Sequence, residues 1–149
     1  MNPHFIFNSL NAIRYYMGEN DTAAADDYLV MFANLIRSIL ENSEIKYISI
    51  AEEIRIFKLY IEAEMLRMPG SFNYEINISE DIDQKKTLIP PMLIQPLVEN
   101  SIWHGFAKNK KDKGFLQLKV GQKNGNASLE IFDKKKGTRV EISLPLQQI

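Results

Sequence analysis

The chain has 149 residues, of which 45% are hydrophobic and 25% are charged, and its net charge is −1. This composition is typical of a soluble globular protein with one ordinary domain or two small ones. A charge near zero gives no indication of nucleic-acid or anionic-membrane binding. The absence of cysteine excludes disulfides and thiolate metal sites and fits a reducing cytoplasm. No apolar run approaches the roughly 20 residues of a membrane helix, and no signal peptide is visible.

The first forty residues predict two amphipathic helices joined by a short turn at 18–21. Apolar residues of the first helix fall at positions i, i+4, i+7 and i+11: Ile6, Leu10, Ile13 and Met17. The second helix, capped by Asp21 or Thr22, repeats the pattern with Leu29, Phe32, Ile36 and Ile39. Such a hairpin buries too little surface to be stable alone. We therefore expect a dimeric four-helix bundle.

Two polar residues of the first helix, His4 and Asn8, lie one turn apart on the same side. A neutral imidazole, with a pKa of about 6.5, is a good nucleophile near neutral pH. A lone histidine near a helix start is nevertheless most often a surface residue. Asn8 either positions a water or phosphate oxygen or is an ordinary exposed residue.

The middle of the chain predicts a helix and then a sheet. Ser49 and Glu52 have the spacing of a capping box, and the helix that follows ends near Pro69–Gly70. We interpret its polar residues as a solvated scaffold: Glu52, Glu53, Tyr60, Glu62 and Arg67. A loop is predicted at 79–87, and alternating patterns predict strands at 72–78, 116–120, 129–133 and 140–144. With the hairpin turn Asn124–Gly125, they indicate an α+β two-layer sandwich with a mostly antiparallel sheet.

The stretch 89–106, IPPMLIQPLVENSIWHGF, carries the densest chemistry. We predict a helix that enters at Pro90–Pro91 and bends at Pro96. Asn100 and His104 are four residues apart and share one side of that helix. Glu99 adds a carboxylate, so that an acid, an amide and an imidazole project from an otherwise apolar segment. Carboxylate and amide oxygens are suitable ligands for a hard cation.

These two segments resemble motifs of the LytS-like sensor histidine kinases. The string Pro-Pro-x-x-x-Gln-Pro-Leu-Val-Glu-Asn-x-x-x-His-Gly is similar to the N box of the GHKL ATPase fold, and Pro-His-Phe-x-Phe-Asn-x-Leu-Asn to the phosphoacceptor box. The resemblance implies that His4 receives the γ-phosphate of ATP. It further implies that Glu99 orients a water or activates the acceptor, Asn100 holds Mg²⁺ and His104 lies near the phosphates. A response regulator, of LytTR type, would take the phosphoryl group on an aspartate.

The resemblance divides the chain into a dimerisation and phosphotransfer hairpin, 1–47, and an ATP-binding GHKL-type domain, 48–149. Asp133 matches the residue that binds the adenine amine, and Thr138 belongs to the matching terminal strand. Between Asp133 and Gly137 the family's glycine-rich boxes and ATP lid are missing. The lid is disordered and absent from the sequence, or deleted, or the protein is a naturally degenerate kinase. Glycine-rich turns let backbone N–H groups cradle phosphates, so we expect weak or no ATP binding by this chain.

Family members usually carry a membrane or ligand-sensing region before the phosphoacceptor helix, so we expect a cytoplasmic fragment of a membrane-anchored sensor. Two alternatives to the kinase core remain open. The first is a catalytically inactive module for dimerisation and regulator docking with a vestigial nucleotide site. The second is another GHKL ATPase or a serine kinase, against which the phosphoacceptor string argues.

Overall fold

The computed structural model describes residues 3–67, 70, 72–101, 114–133, 138–145 and 147–148. The helices are α1 (Pro3–Gly18), α2 (Thr22–Asn42), α3 (Ile50–Arg67) and α4 (Ile94–Ser101). The strands are β1 (Ile48–Ser49), β2 (Phe72–Ile78), β3 (Thr87–Ile89), β4 (Gly114–Lys123), β5 (Asn126–Asp133), β6 (Thr138–Pro145) and β7 (Gln147–Gln148). None of the helices within these ranges is long and apolar enough to span a membrane.

The predicted hairpin of α1 and α2 is confirmed. Pro3 opens α1, and the side chain of Asp21 accepts a hydrogen bond from the Ala24 N–H at 3.1 Å, which caps α2. The predicted apolar stripes are only partly buried, since Leu10, Met17 and Leu29 are 47%, 61% and 49% exposed. On α2 the predicted stripe is buried at Ile39, which belongs to a buried face with Ala25, Tyr28, Leu35, Ser38 and Asn42.

Helix α3 lies at the centre of the fold and contacts α1, α2, α4, β1 and β3. It begins where predicted, because the Ser49 hydroxyl accepts the Glu52 N–H at 3.2 Å. The interpretation of its polar residues as a solvated scaffold was wrong for Glu53 and Tyr60, which are 2% and 0% exposed. Burial on several sides explains the error, since a single amphipathic stripe is the signature of a helix that packs on one side only.

The main sheet has the strand order β2-β4-β5-β6. Strand β2 pairs with β4 in parallel, whereas the other two pairings are antiparallel, so the predicted mostly antiparallel sheet is confirmed. One core is formed by apolar residues of α2, α3 and α4 together with alternate residues of the sheet. The sheet residues are Leu116, Leu118, Val120, Leu129 and Ile131. The second sheet, β1-β3-β7, was missed because strands of two or three residues are too short to show alternation.

Helix α4 begins at Ile94 and not at Pro90–Pro91, which was an error of four residues. The backbone of Met92 has a φ of 62°, which is a left-handed conformation. A right-handed helix therefore cannot begin before Met92. Pro96 therefore falls in the first turn of α4, where backbone N–H groups have no partner inside the helix. Pro96 thus costs the helix no hydrogen bond, and the predicted cause of a bend at this residue is absent.

The hairpin between β4 and β5 supplies a test of the fold. Asn124 and Gly125 have φ angles of 53° and 78°, as a two-residue type I′ turn requires. Replacing Gly125 with Ala should destabilise the protein by about 1 kcal/mol, because a side chain disfavours the left-handed backbone. Nothing lies within 4 Å of the added Cβ, so steric contact adds nothing.

Gly18 is the matched control, since it ends α1 without a positive φ and its added Cβ also meets nothing within 4 Å. Gly18→Ala should stabilise the protein by about 0.5 kcal/mol through the entropy of the unfolded chain. Urea unfolding of both variants measures the two effects. Effects of the same sign would contradict the turn geometry.

Candidate functional site

The residues singled out from the sequence lie on three elements. His4 and Asn8 belong to the first two turns of α1, Glu99 and Asn100 to the last turn of α4, and Asp133 ends β5. Some of these side chains lie outside the described part of the structure: His4, Asn8, Glu99, Asn100 and Thr138. His104 lies outside the described residues altogether.

The structure buries Asp133 at the end of β5. Asp133 is 2% exposed and lies opposite Thr138 in the register of β5 and β6. Helix α4 contacts β5 directly. The segment with Glu99 and Asn100 and the strand with Asp133 are therefore neighbours, although they are more than thirty residues apart in the chain.

The register of β5 and β6 also fixes the length of the connection at this end of the sheet. Asp133 pairs with Thr138, so four residues, 134–137, join the two antiparallel strands. Their sequence is Lys-Lys-Lys-Gly. Four residues are too few to form the ATP lid that the resemblance predicts at this point of the sequence.

A buried carboxylate, which the sequence patterns did not indicate, holds the start of α4. Glu53, on the first turn of α3, accepts the N–H of Met92 on Oε2 at 3.0 Å. Its Oε1 accepts the N–H groups of Leu93 and Ile94 at 3.0 and 3.2 Å. One side chain thus satisfies three backbone donors that a helix start leaves without partners. A signal was available, because the preceding Pro-Pro-Met-Leu contains none of the residues that usually cap a helix.

Two opposed effects act on the Glu53 carboxyl. Burial disfavours the charged form and raises the pKa, whereas the three N–H donors favour the charged form and lower it. Burial is the larger effect, so the pKa of Glu53 is raised above its usual value. The neighbouring Glu52 differs, because its hydrogen bond with Arg55 lowers its pKa.

The other end of α3 carries a second buried acid, which lies near the hairpin. Glu64, with a side chain 1% exposed, pairs with Arg67 at 2.6 Å. Tyr28 of α2 is fully buried there and donates to the Ser9 hydroxyl of α1 at 3.2 Å. Burial raises the pKa of Tyr28, and the charge of Glu64 adds to that effect. Tyr16 of α1 donates to the Leu66 carbonyl at 2.6 Å, so α1 is tied to α3 as well as to α2.

The hairpin leaves large apolar side chains uncovered. We call this set the apolar stripe: Ile6, Phe7, Leu10, Met17, Leu29 and Val30, all 37% to 65% exposed. A groove between α1 and α2 continues it, lined by Ile13, Met17, Ala25 and Leu29. Contiguous exposed apolar surface of this kind marks an interaction site.

Metal binding has little support from the described side chains alone. Within the ranges that the structure covers, no group of three or more His, Cys, Asp or Glu residues could hold a metal ion. The side chains of Glu99 and Asn100, on which the predicted magnesium site depends, lie outside the part of the chain that this search covers. An amide oxygen beside ligand phosphates is a donor set that suits Mg²⁺.

The sequence is similar to known proteins along most of its length. Residues 1–72, which include α1, α2 and α3, match the family model described as histidine kinase. This match covers just under half of the chain.

Similar proteins of known name are sensor proteins called LytS. The chain is 33% identical over 92% of its length to the sensor protein LytS of Staphylococcus epidermidis, and 29% identical over 98% to LytS of Enterococcus faecalis. It is 35% identical over 74% of its length to the sensor histidine kinase/phosphatase LytS of Staphylococcus aureus. It covers 22%, 24% and 18% of these three proteins. The chain is a LytS-like sensor histidine kinase sequence that spans about a fifth of such a protein.

The raised pKa of Glu53 predicts a pH dependence of stability. The folded protein holds this proton more tightly than the unfolded chain, in which the pKa is near 4.5. The resulting stabilisation is complete below that pH and is lost as the pH rises through the folded-state value. The free energy of unfolding of the wild type, relative to Glu53→Gln, should therefore fall across this window. Urea titrations in a series of buffers measure the difference, and a difference that rises with pH would contradict the assignment.

Proposed function

We propose that this chain comes from the kinase core of a two-component sensor, and that the full-length sensor transfers the γ-phosphoryl group of ATP to His4 and then to an aspartate of a response regulator. The observation that carries the proposal is the contact of α4 with β5. It brings the segment of Glu99 and Asn100 beside the strand that ends at the buried Asp133. This arrangement suits a GHKL-type nucleotide site built on a two-layer sandwich.

In this proposal the nucleotide lies between α4 and the end of β5. The Asp133 carboxylate accepts a hydrogen bond from the adenine amine, and Thr138 lies across the strand register from it. Asn100 and His104 hold the phosphate end, and Asn100 is the protein ligand of Mg²⁺. When bound, Mg²⁺ neutralises phosphate charge. Glu99 accepts the proton that the acceptor loses.

His4 is the acceptor in the same proposal. Its neutral imidazole nitrogen forms a bond to the γ-phosphorus while the bond from that phosphorus to the bridging oxygen breaks, and ADP leaves. Asn8, one turn further along α1, positions a phosphate oxygen. The two halves of the site belong to elements that both pack on α3, since α1 and α4 each contact that helix.

Dimerisation follows from the apolar stripe on the hairpin. Two copies of the hairpin that cover these side chains form a four-helix bundle, and bundle cores of this kind are built from such helical stripes. LytS-like relatives are sensor proteins, so the partner that takes the phosphoryl group is a response regulator, which we propose to be of LytTR type. The membrane is reached only through a region that precedes this segment in the longer sensor.

A second candidate is favoured by one observation. The four-residue link from Asp133 to Thr138 leaves no lid between β5 and β6. A chain without this cover is a dimerisation and regulator-docking module with a vestigial nucleotide site. The two candidates differ in whether the chain binds Mg-ATP and whether His4 is labelled.

Labelling in a full-length sensor that contains this segment tests the acceptor. We expect His4→Gln to abolish acid-labile labelling by γ-labelled ATP, because the amide has no nucleophilic ring nitrogen. Asn11→Ala is the matched control, since Asn11 is exposed on the same helix and has no proposed role. Acid-labile label that persists in His4→Gln would refute the assignment.

Titration calorimetry with Mg-ATP tests the nucleotide site of the 149-residue chain itself. We expect weak or no binding, because the four-residue link supplies no glycine-rich cradle for the triphosphate. An otherwise identical chain with a lid inserted between Asp133 and Gly137 should bind more tightly. Clear micromolar binding by the unmodified chain would overturn this expectation, and no gain on lid insertion would favour the vestigial module.

A further inference from the structure

We infer that Glu53 is a positioning residue for the proposed nucleotide site, because its carboxylate fixes where α4 begins. The inference rests on the proposed function, in which α4 supplies Glu99 and Asn100. It assigns to α3 a role in that site beyond general packing.

The local sequence cannot fix the start of α4 without help. The residues before Ile94 are Pro-Pro-Met-Leu, which offer no side-chain oxygen to cap the helix. Pro96 disfavours a helical backbone at Gln95, the second residue of α4. A helix of eight residues is also far too short to be stable alone. The start of α4 must therefore be held from elsewhere in the fold.

Glu53 supplies that hold with both carboxylate oxygens. Its Oε2 binds the N–H of Met92, whose φ of 62° is an unusual conformation for a residue with a side chain. Its Oε1 binds the next two N–H groups, those of Leu93 and Ile94. The contact stabilises the left-handed turn and the helix start together. A negative group is also favourable at the positive end of the helix dipole.

The position of this contact makes it relevant to the distal end of α4. Glu99 and Asn100 lie five and six residues beyond Ile94, or about 8 Å along the helix axis at 1.5 Å per residue. Over so short a distance a helix moves as a unit. A shift of its first turn is therefore transmitted to Glu99 and Asn100, and metal-assisted phosphoryl transfer depends on accurate positioning.

The substitution Glu53→Gln separates the two halves of the contact. Gln keeps one acceptor oxygen, which can still serve Leu93 and Ile94, but it presents an NH₂ donor to the N–H of Met92. Amide hydrogen exchange measured by NMR on the 149-residue chain should therefore be faster at Met92 by roughly tenfold, since a buried donor loses its acceptor. Leu93 and Ile94 should change less.

Glu64→Gln is the matched control, because Glu64 is the other buried acid of α3 and pairs with Arg67 instead of with α4. It should leave exchange at Met92, Leu93 and Ile94 unchanged relative to the rest of the core. Equal acceleration by both variants, or none by Glu53→Gln, would overturn the inference. A uniform acceleration throughout the core would equally show that Glu53 acts on stability alone.

A second measurement links the contact to the site. In a full-length sensor assayed well below the melting temperature of every variant, Glu53→Gln should raise the KM for Mg-ATP in autophosphorylation several-fold, with Glu53→Asp giving no rescue because its shorter side chain cannot span to α4. An unchanged KM alongside faster exchange at Met92 would refute the link to nucleotide binding. A wild-type sensor that does not use ATP would refute the proposed function while leaving the exchange result to decide the role of Glu53 in placing α4.

Discussion

The structure depends on a carboxylate that is buried between two helices. Glu53 gives up its hydration to bind three N–H groups at the start of α4, and this unfavourable burial raises its pKa. Buried polar groups are retained where they are hydrogen-bonded. The carboxylate and the helix start therefore satisfy one another's hydrogen-bonding groups. This contact joins α3 to the start of α4, although the residues involved are about forty positions apart in the chain.

Helix α3 extends this dependence to the rest of the molecule. Glu53 lies at its first turn and faces α4, whereas Glu64 lies near its last turn and pairs with Arg67 close to Tyr28 of α2. Tyr16 of α1 binds the Leu66 carbonyl at the same end. One helix thus contacts the hairpin that carries His4 and the helix that carries Asn100. Helix α3 therefore joins the two segments to which we assign the proposed acceptor and the proposed nucleotide site.

The surfaces that remain uncovered fit this organisation. The apolar stripe on α1 and α2 is exposed, and the buried residues of α2 are a different set that includes Tyr28 and Leu35. In the proposed dimer this exposed stripe would be covered by a second copy of the hairpin. At the far end of the sheet, the four-residue link between β5 and β6 leaves Asp133 in place without a lid. The chain keeps the framework of the proposed nucleotide site while lacking the usual cover.

Local patterns in the sequence determined the helices of the hairpin, the capping residue Ser49, the Asn124–Gly125 turn and the alternating strands, because each depends on neighbours within a few residues. They left the cap of α2 open between Asp21 and Thr22, and the structure shows it at Asp21. The sequence motifs around His4 and Asn100 were also sufficient to indicate the LytS-like histidine kinases. Only the tertiary structure decided the parallel pairing of β2 with β4, the true start of α4 and the burial of Glu53. These features depend on partners distant in the chain. From the sequence alone, a charged residue on a helix is predicted to be solvated, because the element that covers it lies far away in the chain.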